Sequence, residues 1–294
     1  MKKILITGAN SYIGTSFEKY VAENYSSEYV VDTIDMIDGT WREKSFASYD
    51  VVFHVAGIAH SDMGKISEER EKLYYSVNTD LCIETAKKCK ADGVSQFIFM
   101  SSAIVYGNSA KIGKQKVVDK NTLPTPVNCY GKSKLLAEEG ITPLSDDKFK
   151  VVILRPPIIY GKNCKGNFVT LSNFAKKMKF FPYVKNQRSM LYVENLAEFI
   201  CLLIKNQDSG IFFPQNAEYS NTSEMVKLIA SAQGKKVRLV KGFAWMLKIL
   251  SVFTGLVNKA FGNMCYEQSI SEYKEEYLKF NLEQSILKTE EIDA

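Results

Sequence analysis

Short apolar runs rich in β-branched and aromatic residues alternate with helical patterns through the first two hundred residues. Residues 3–7, 30–34, 51–55, 97–101 and 151–155 read as strands, and 13–24, a segment near 68–92, and 132–139 read as helices between them. Strand and helix in alternation predict an α/β fold, a doubly wound parallel sheet covered on both faces. A further helix is expected at 193–204, and a late strand at 210–214 that rejoins the same sheet. Segments 161–187 and 218–294 find no place in that sheet. They are expected to form a smaller lobe over the carboxyl ends of the strands, where open α/β sheets bind ligands. The sheet domain would then be 1–160, with 188–217 returning to it.

The most apolar stretch, 243–261, stands apart from this alternation. Lys248 and Lys259 interrupt it, and the run between them is too short to cross a bilayer. It reads as an amphipathic helix packed in the second domain or over the site. A helix lying on a membrane surface is the alternative. No integral membrane span is expected.

Composition narrows the class. With 46% hydrophobic and 24% charged residues the chain is that of an ordinary soluble protein. The net charge of +5 is mild and the lysines are scattered along the sequence. That balance fits an anionic small-molecule ligand better than a nucleic-acid groove, which wants clustered basic side chains. Six cysteines without a paired spacing read as reduced, mostly buried thiols. Two histidines and no Cys/His cluster argue against a zinc site. The first residues run directly into a strand with no signal-peptide pattern, so a cytoplasmic location is expected.

The first strand leads into Gly8-Ala9-Asn10-Ser11-Tyr12-Ile13-Gly14 and then a helix. Glycines in such a turn let a pyrophosphate approach the backbone, and the helix amino terminus attracts its charge. The strand before and the helix after give the motif its weight as a dinucleotide site. An acid at the end of the second strand would bind the adenosine ribose hydroxyls and disfavour a 2′-phosphate. Asp32 and Asp35 both lie near the expected distance and no arginine sits there, which favours NAD over NADP.

Tyr130-Gly-Lys-Ser-Lys134 follows a strand end that continues as Ser101-Ser102-Ala103-Ile104-Val105-Tyr106-Gly107. Tyrosine and lysine four residues apart lie on one helix face. An ammonium beside a phenol favours the phenolate, and the Ser102 hydroxyl can share a substrate oxygen with it. The set suits proton transfer coupled to hydride transfer at a carbinol carbon. Bringing a tyrosine from a pKa of ~10 to ~7 requires about 4 kcal/mol of differential stabilisation. Lys134 and a positive nicotinamide are the expected sources. His54 reads as a strand-end packing residue. His60, on the loop that follows, is a candidate contact to substrate or a plain surface-loop residue.

Taken together, these pieces resemble the extended short-chain dehydrogenase/reductases, in the NAD-dependent epimerase/dehydratase group that acts on nucleotide sugars. The matching residues also include Asp50 to Gly57, Val77-Asn78, Leu154-Arg155-Pro156-Pro157 and Arg188 to Val193, an ordered set over residues 1 to 200. The resemblance implies that Ala56 and Gly57 pass close to the cofactor, that Asn78 supports it, and that Lys134 binds the nicotinamide ribose. Asp35-Met36 resembles the acidic–apolar pair that the family places by the adenine, in a region where this chain is unusually short. Arg188 would approach the diphosphate of the sugar nucleotide, a UDP-sugar in the first instance. A homodimer is the family's habit.

Three departures bear on the chemistry. Ser11 stands where the family's glycine turn usually has its middle glycine. Ala103-Ile104 stand where the family's 4,6-dehydratases carry an Asp-Glu pair, which argues against dehydration. Ile158 stands where many of its epimerases have an asparagine, for which Asn167, in Lys165-Gly166-Asn167-Phe168, is the expected substitute. The expected activity is an NAD-dependent nucleotide-sugar 4-epimerase, with Tyr130, Lys134 and Ser102 catalytic. The alternatives are a reductase of a nucleotide-linked 4-keto sugar and, in another class, a non-catalytic NAD(P)-sensing regulator.

Overall fold

The computed structural model describes residues 1–58, 66–253 and 255–291; for residues 244, 251–253, 255, 256 and 259 the backbone alone is described. The chain divides into two compact units. The first comprises Met1–Gly107, Leu123–Pro156 and Ala197–Phe213, and the second Asn108–Thr122, Pro157–Leu196 and Pro214–Ala294.

The first unit is built on six parallel strands: β1 (Lys2–Thr7), β2 (Tyr29–Ile34), β3 (Val51–His54), β4 (Gln96–Met100), β5 (Lys150–Leu154) and β6 (Gly210–Phe212). Their order across the sheet is β6-β5-β4-β3-β1-β2. The first five lie within one residue of the sequence expectation at either end. Helices cover both faces because alternate residues of every inner strand are apolar. On one face Leu5, Val52, Phe97, Phe99, Val151 and Ile153 pack against helices α3 (Leu81–Ala91) and α4 (Cys129–Ile141). On the other, Phe17 of helix α1 (Tyr12–Asn24) meets Phe53 edge-on at 5.2 Å, and Phe199 of helix Val193–Asn206 meets Phe212 at 5.9 Å. Burying each such phenylalanine contributes about 1.5–3 kcal/mol.

The chain runs outward from β1 to β2, then returns to the other side of β1 as β3, so strand order reverses between β1 and β3. Register pairs Thr7 with His54 there, which puts the glycine turn and the loop after β3 at one topological switch point. A single strand, β2, lies beyond β1, where the sequence is short.

Between β3 and β4 a long helical segment carries a π-turn. Helix α2 (Glu68–Tyr75) has Ser67 as its amino-terminal cap, Ser76–Asp80 form the π-turn, and α3 follows without a break. Such bulges recur at functional sites, and Asn78 lies inside this one.

The second unit contains short parallel pairs: Ile158–Tyr160 with Met190–Tyr192, Phe180–Pro182 with Arg238–Val240, and Val117–Val118 with Cys265–Tyr266. Helices Asn167–Lys177, Thr222–Ala232 and Leu282–Glu290 surround them. The expected boundary at 160 and the expected return at 188–217 differ from this division. Residues 108–122 join the second unit because Val117–Val118 pair with Cys265–Tyr266 and Ala110 bridges Asn263. Residues 157–160 and 188–196 join it through the pair Ile158–Tyr160 and Met190–Tyr192. Two- and three-residue strands with distant partners leave no periodic trace in sequence.

The apolar stretch 243–261 forms two helices, Ala244–Phe253 and Gly255–Phe261. The expectation of a packed helix does not hold for the first of them. Trp245, Met246, Ile249 and Leu250 are exposed.

Candidate active site

At the head of β1 the backbone turns at Gly8 with φ +92, and a Cβ there would lie 2.8 Å from Ala56 Cα and N. Only glycine permits both the left-handed turn and this approach of the loop after β3. Asn10 follows with φ 63, a conformation that asparagine tolerates. Ser11 then caps α1: its Oγ accepts from Gly14 N at 3.2 Å. The hydroxyl that replaces the family's middle glycine is therefore spent on ordering the helix amino terminus, and its proton remains to donate outward. Tyr12 and Ile13 form the first turn, partly exposed, with Gly14 buried beneath.

The two aspartates at β2 separate cleanly. Asp32 lies within the strand and accepts a hydrogen bond from Tyr49 OH at 2.9 Å. Asp35 lies just past the strand end, exposed, with Met36 buried beside it and Oδ1 accepting from Ile37 N at 2.8 Å. The turn, the helix end and Asp35 fit NAD: Gly8 to Gly14 would take the pyrophosphate and Asp35 the ribose hydroxyls, with Ala56 and Gly57 alongside.

The proton-transfer set lies on α4 and the strand end beside it. Asn128 caps α4 through Oδ1, which accepts from Gly131 N at 2.8 Å. The helix thus starts at Cys129, three residues before the expected start, and Tyr130 sits in its first turn. Gly131 lets the helix close on the turn Ala103–Tyr106, since a Cβ there would lie 2.9 Å from Ile104 O. Ser102 accepts from Ile104 N at 3.3 Å, capping that turn, and lies beside Tyr130. Tyr130 is half-buried, its ring 6.2 Å from that of Tyr74. Burial raises its pKa, the Ser102 hydroxyl lowers it in part, and Tyr74 adds to the rise.

Lys134 lies one turn below, 5% exposed. Nζ donates to Met100 O at 2.8 Å and stands 4.6 Å over the Phe99 ring. Burial brings its pKa down to about 8, against smaller opposing effects of Cys82 and Glu138. In this structure the ammonium is thus directed to a carbonyl and a ring.

Beneath this set a group of buried hydrogen bonds joins the loop after β3, α4 and the strand ends. Asn78 is fully buried; Oδ1 accepts from Ile58 N at 2.8 Å, and Nδ2 donates to Ile58 O at 3.2 Å and Ser133 Oγ at 3.1 Å. It ties the loop after β3 to α4, so its support for a cofactor is indirect. Glu138 accepts from Ser101 Oγ and from Arg155, and Arg155 Nη1 donates to Tyr106 OH at 2.7 Å. This network joins β4, α4 and β5; the motifs read from sequence contain Ser101, Tyr106 and Arg155, but Glu138, which ties them together, was not singled out. His54 is fully buried, its Nδ1 2.8 Å from Thr7 Oγ1 and its pKa down to about 3 through burial and then Lys134. It is a packing residue, as expected. His60 lies outside the described residues.

In the second unit, Ile158, Asn167, Phe168, Arg188, Met190 and Ser220 line one small cavity. The three residues singled out there from sequence (Ile158, Asn167 and Arg188) are thus neighbours. Paired main-chain bonds with Ser220, at 3.0 and 2.9 Å, hold Arg188 in place, and its Nη1 donates to Ala260 O at 3.2 Å. Burial lowers its pKa to about 10, which leaves it cationic at neutral pH. Ser220, buried on the same wall, has an Oγ with no hydrogen-bond partner among the described residues. The sequence reading did not single it out; nothing about a lone serine would have.

The chain is 29% identical to UDP-glucose 4-epimerase from Vibrio cholerae over 93% of its length and 89% of that protein's. It is 26% identical to N-acetyl-alpha-D-glucosaminyl-diphospho-ditrans,octacis-undecaprenol 4-epimerase from Escherichia coli O157:H7, over 80% and 73%. Among solved structures, UDP-N-acetylglucosamine 4-epimerase from Bacillus cereus superposes with a TM-score of 0.76 at 17% identity, covering 99% of this chain and 98% of that one. A dTDP-4-dehydrorhamnose reductase from Clostridium acetobutylicum superposes with a TM-score of 0.64 at 22% identity, over 82% and 83%. These two structural likenesses share the Rossmann-type fold. Residues 4–212 match the model of the NAD dependent epimerase/dehydratase family, and with the glycine turn, Ser102, Tyr130 and Lys134 in place the chain belongs to that family.

Proposed function

We propose that the protein is an NAD-dependent nucleotide-sugar 4-epimerase. The observation that carries this reading is half-buried Tyr130 at the head of the helix that also holds the buried Lys134, with Ser102 beside it. Bound NAD supplies the acceptor, and then the donor, of the hydride at sugar C4. Tyr130, as phenolate, takes the proton of the C4 hydroxyl, and Ser102 holds the same oxygen. Lys134 binds the nicotinamide ribose, and Arg188 grips the substrate diphosphate by charge-assisted hydrogen bonds. The 4-keto sugar turns over and takes the hydride back at C4 on its other face, while Tyr130 returns the proton to the C4 oxygen, which completes inversion.

The Vibrio cholerae relative supports a UDP-sugar as substrate, and both relatives named above carry the 4-epimerase label. Ala103 and Ile104 place apolar side chains where a dehydratase needs an acid, so no group there protonates a departing hydroxyl. A sensor of NAD(P) would not need the Ser102–Tyr130–Lys134 set. A cytoplasmic homodimer belongs to the same reading.

The test is NMR of UDP-sugars incubated with the protein and catalytic NAD. Epimerisation without net cofactor turnover is expected. Turnover seen only as NAD(P)H oxidation with a 4-keto sugar would make the protein a reductase instead. Activity retained in Tyr130→Phe would refute the mechanism.

A further inference from the structure

A surface of the second unit answers to neither cofactor nor sugar. Helix Ala244–Phe253 turns Trp245, Met246, Ile249 and Leu250 to solvent, with Trp245 68% and Ile249 53% exposed. At 100° per residue these four form one stripe. Soluble proteins seldom leave a contiguous apolar stripe in water without a use for it. The helix leaves a basic groove. Lys227, Lys235, Lys236, Arg238 and Lys241 line it, with Glu224 as its one acid, and Lys241 precedes the helix by three residues.

The charge around this groove is one-sided over long stretches. Residues 225–266 contain seven Lys or Arg and no Asp or Glu, and so do residues 161–193. The two stretches meet where strand Arg238–Val240 pairs with Phe180–Pro182. There Arg238 lies opposite Phe180, itself 58% exposed. Lysines that look scattered along the sequence are thus gathered by the fold beside exposed apolar side chains.

We propose that this surface docks the protein on an anionic phospholipid bilayer, with the Trp245–Leu250 stripe seated at the headgroup boundary and the groove's cations on lipid phosphates. Apolar residues on one helix face with lysines alongside are what the bilayer interface selects. Four of the five groove cations are lysines, point charges on flexible stems that suit a fluid array of phosphates better than a fixed bidentate partner. A nucleic-acid backbone would match the charge but gains nothing from Ile249 and Leu250. No helix among the described residues is long and apolar enough to cross a membrane, so the attachment is peripheral.

The experiment is co-flotation of the full chain with phosphatidylcholine vesicles, with and without phosphatidylglycerol, in the absence of any sugar substrate. The chain has two tryptophans, and Trp41 is fully buried, so Trp245 emission reports seating of the helix. Flotation is expected only with phosphatidylglycerol, with a blue shift that Trp245→Phe removes and a decline as salt rises. Each basic residue near an anionic surface contributes about fivefold, so Lys235→Glu/Lys236→Glu is expected to weaken partitioning by well over about tenfold. Ile249→Asp is expected to abolish the blue shift. Turnover of a soluble UDP-sugar serves as the folding control and is expected to be unchanged in these variants. No flotation with anionic vesicles at low salt overturns the proposal. So does flotation that Ile249→Asp leaves intact, which is charge attraction alone, or a preference for an oligonucleotide over vesicles.

Discussion

The surroundings of Tyr130 and of Arg188 differ in kind. In the first unit Lys134, Asn78, Glu138 and Arg155 are buried and joined by hydrogen bonds to one another's elements, so the geometry at Tyr130 is over-determined. In the second unit Arg188 is held by paired main-chain bonds with Ser220 and by Nη1 on Ala260 O, in a cavity walled by Phe168, Leu171, Met190 and Met225. Proton transfer needs groups fixed to fractions of an ångström, and a polar network supplies that rigidity. Gripping a diphosphate needs charge and shape, which a cation among apolar side chains provides.

The largest expected effect tests the first half of this contrast. Tyr130→Phe should lower kcat by about 10²–10⁴-fold, the usual worth of general acid–base catalysis, with the thermal midpoint unchanged. Equal loss of stability would make Tyr130 a structural residue. Next, Arg155→Met should cost about 3–5 kcal/mol in urea unfolding, because it leaves Glu138 buried and uncompensated. A change under about 1 kcal/mol, the scale of an exposed pair, would mean that the network does not fix the site.

The second half of the contrast predicts a different signature. Arg188→Met should raise KM for a UDP-sugar by about 10–100-fold, the equivalent of a lost charged hydrogen bond, with little change in kcat. A fall in kcat at constant KM would place Arg188 in the chemistry and dissolve the distinction.

The smallest effect is a pH slope. Lys134 has a folded pKa near 8 against 10.5 unperturbed, so between these values the unfolded chain holds more protons. Stability from this group therefore rises as pH increases from about 8 to about 10.5. The urea midpoint of the native chain, measured relative to Lys134→Met, should climb across that window. A flat difference would mean the ammonium is not desolvated.

Much of the first unit was legible because its physics is local. Buried strands are continuous apolar runs, and Gly8 to Gly14 needs only a strand before it and a helix after it. Tyr130 and Lys134 need only helical spacing. What escaped reading depends on partners distant in sequence. Asn128 as the cap of α4 was readable in principle, but Glu138 takes its meaning from Ser101 and Arg155 on two strands. Val117–Val118 is a strand only because Cys265–Tyr266 lies beside it. The helix at 244–253 was recognised as apolar, yet whether that face is covered is a property of the fold. Ile158, Asn167 and Arg188 were each singled out by resemblance, and their sharing one cavity became visible only in three dimensions.

The π-turn at Ser76–Asp80 has a consequence for how this scaffold tolerates insertions and deletions. A π-turn accommodates one residue more than the α-helix around it. Removing one residue between 76 and 80 would restore regular winding and change the directions in which the remaining side chains of the turn point. Asn78 could be kept in such a deletant, yet it would no longer meet both Ile58 and Ser133. The position is specified by a count of residues as much as by an asparagine, so a single-codon deletion there should be as damaging as replacing the asparagine itself.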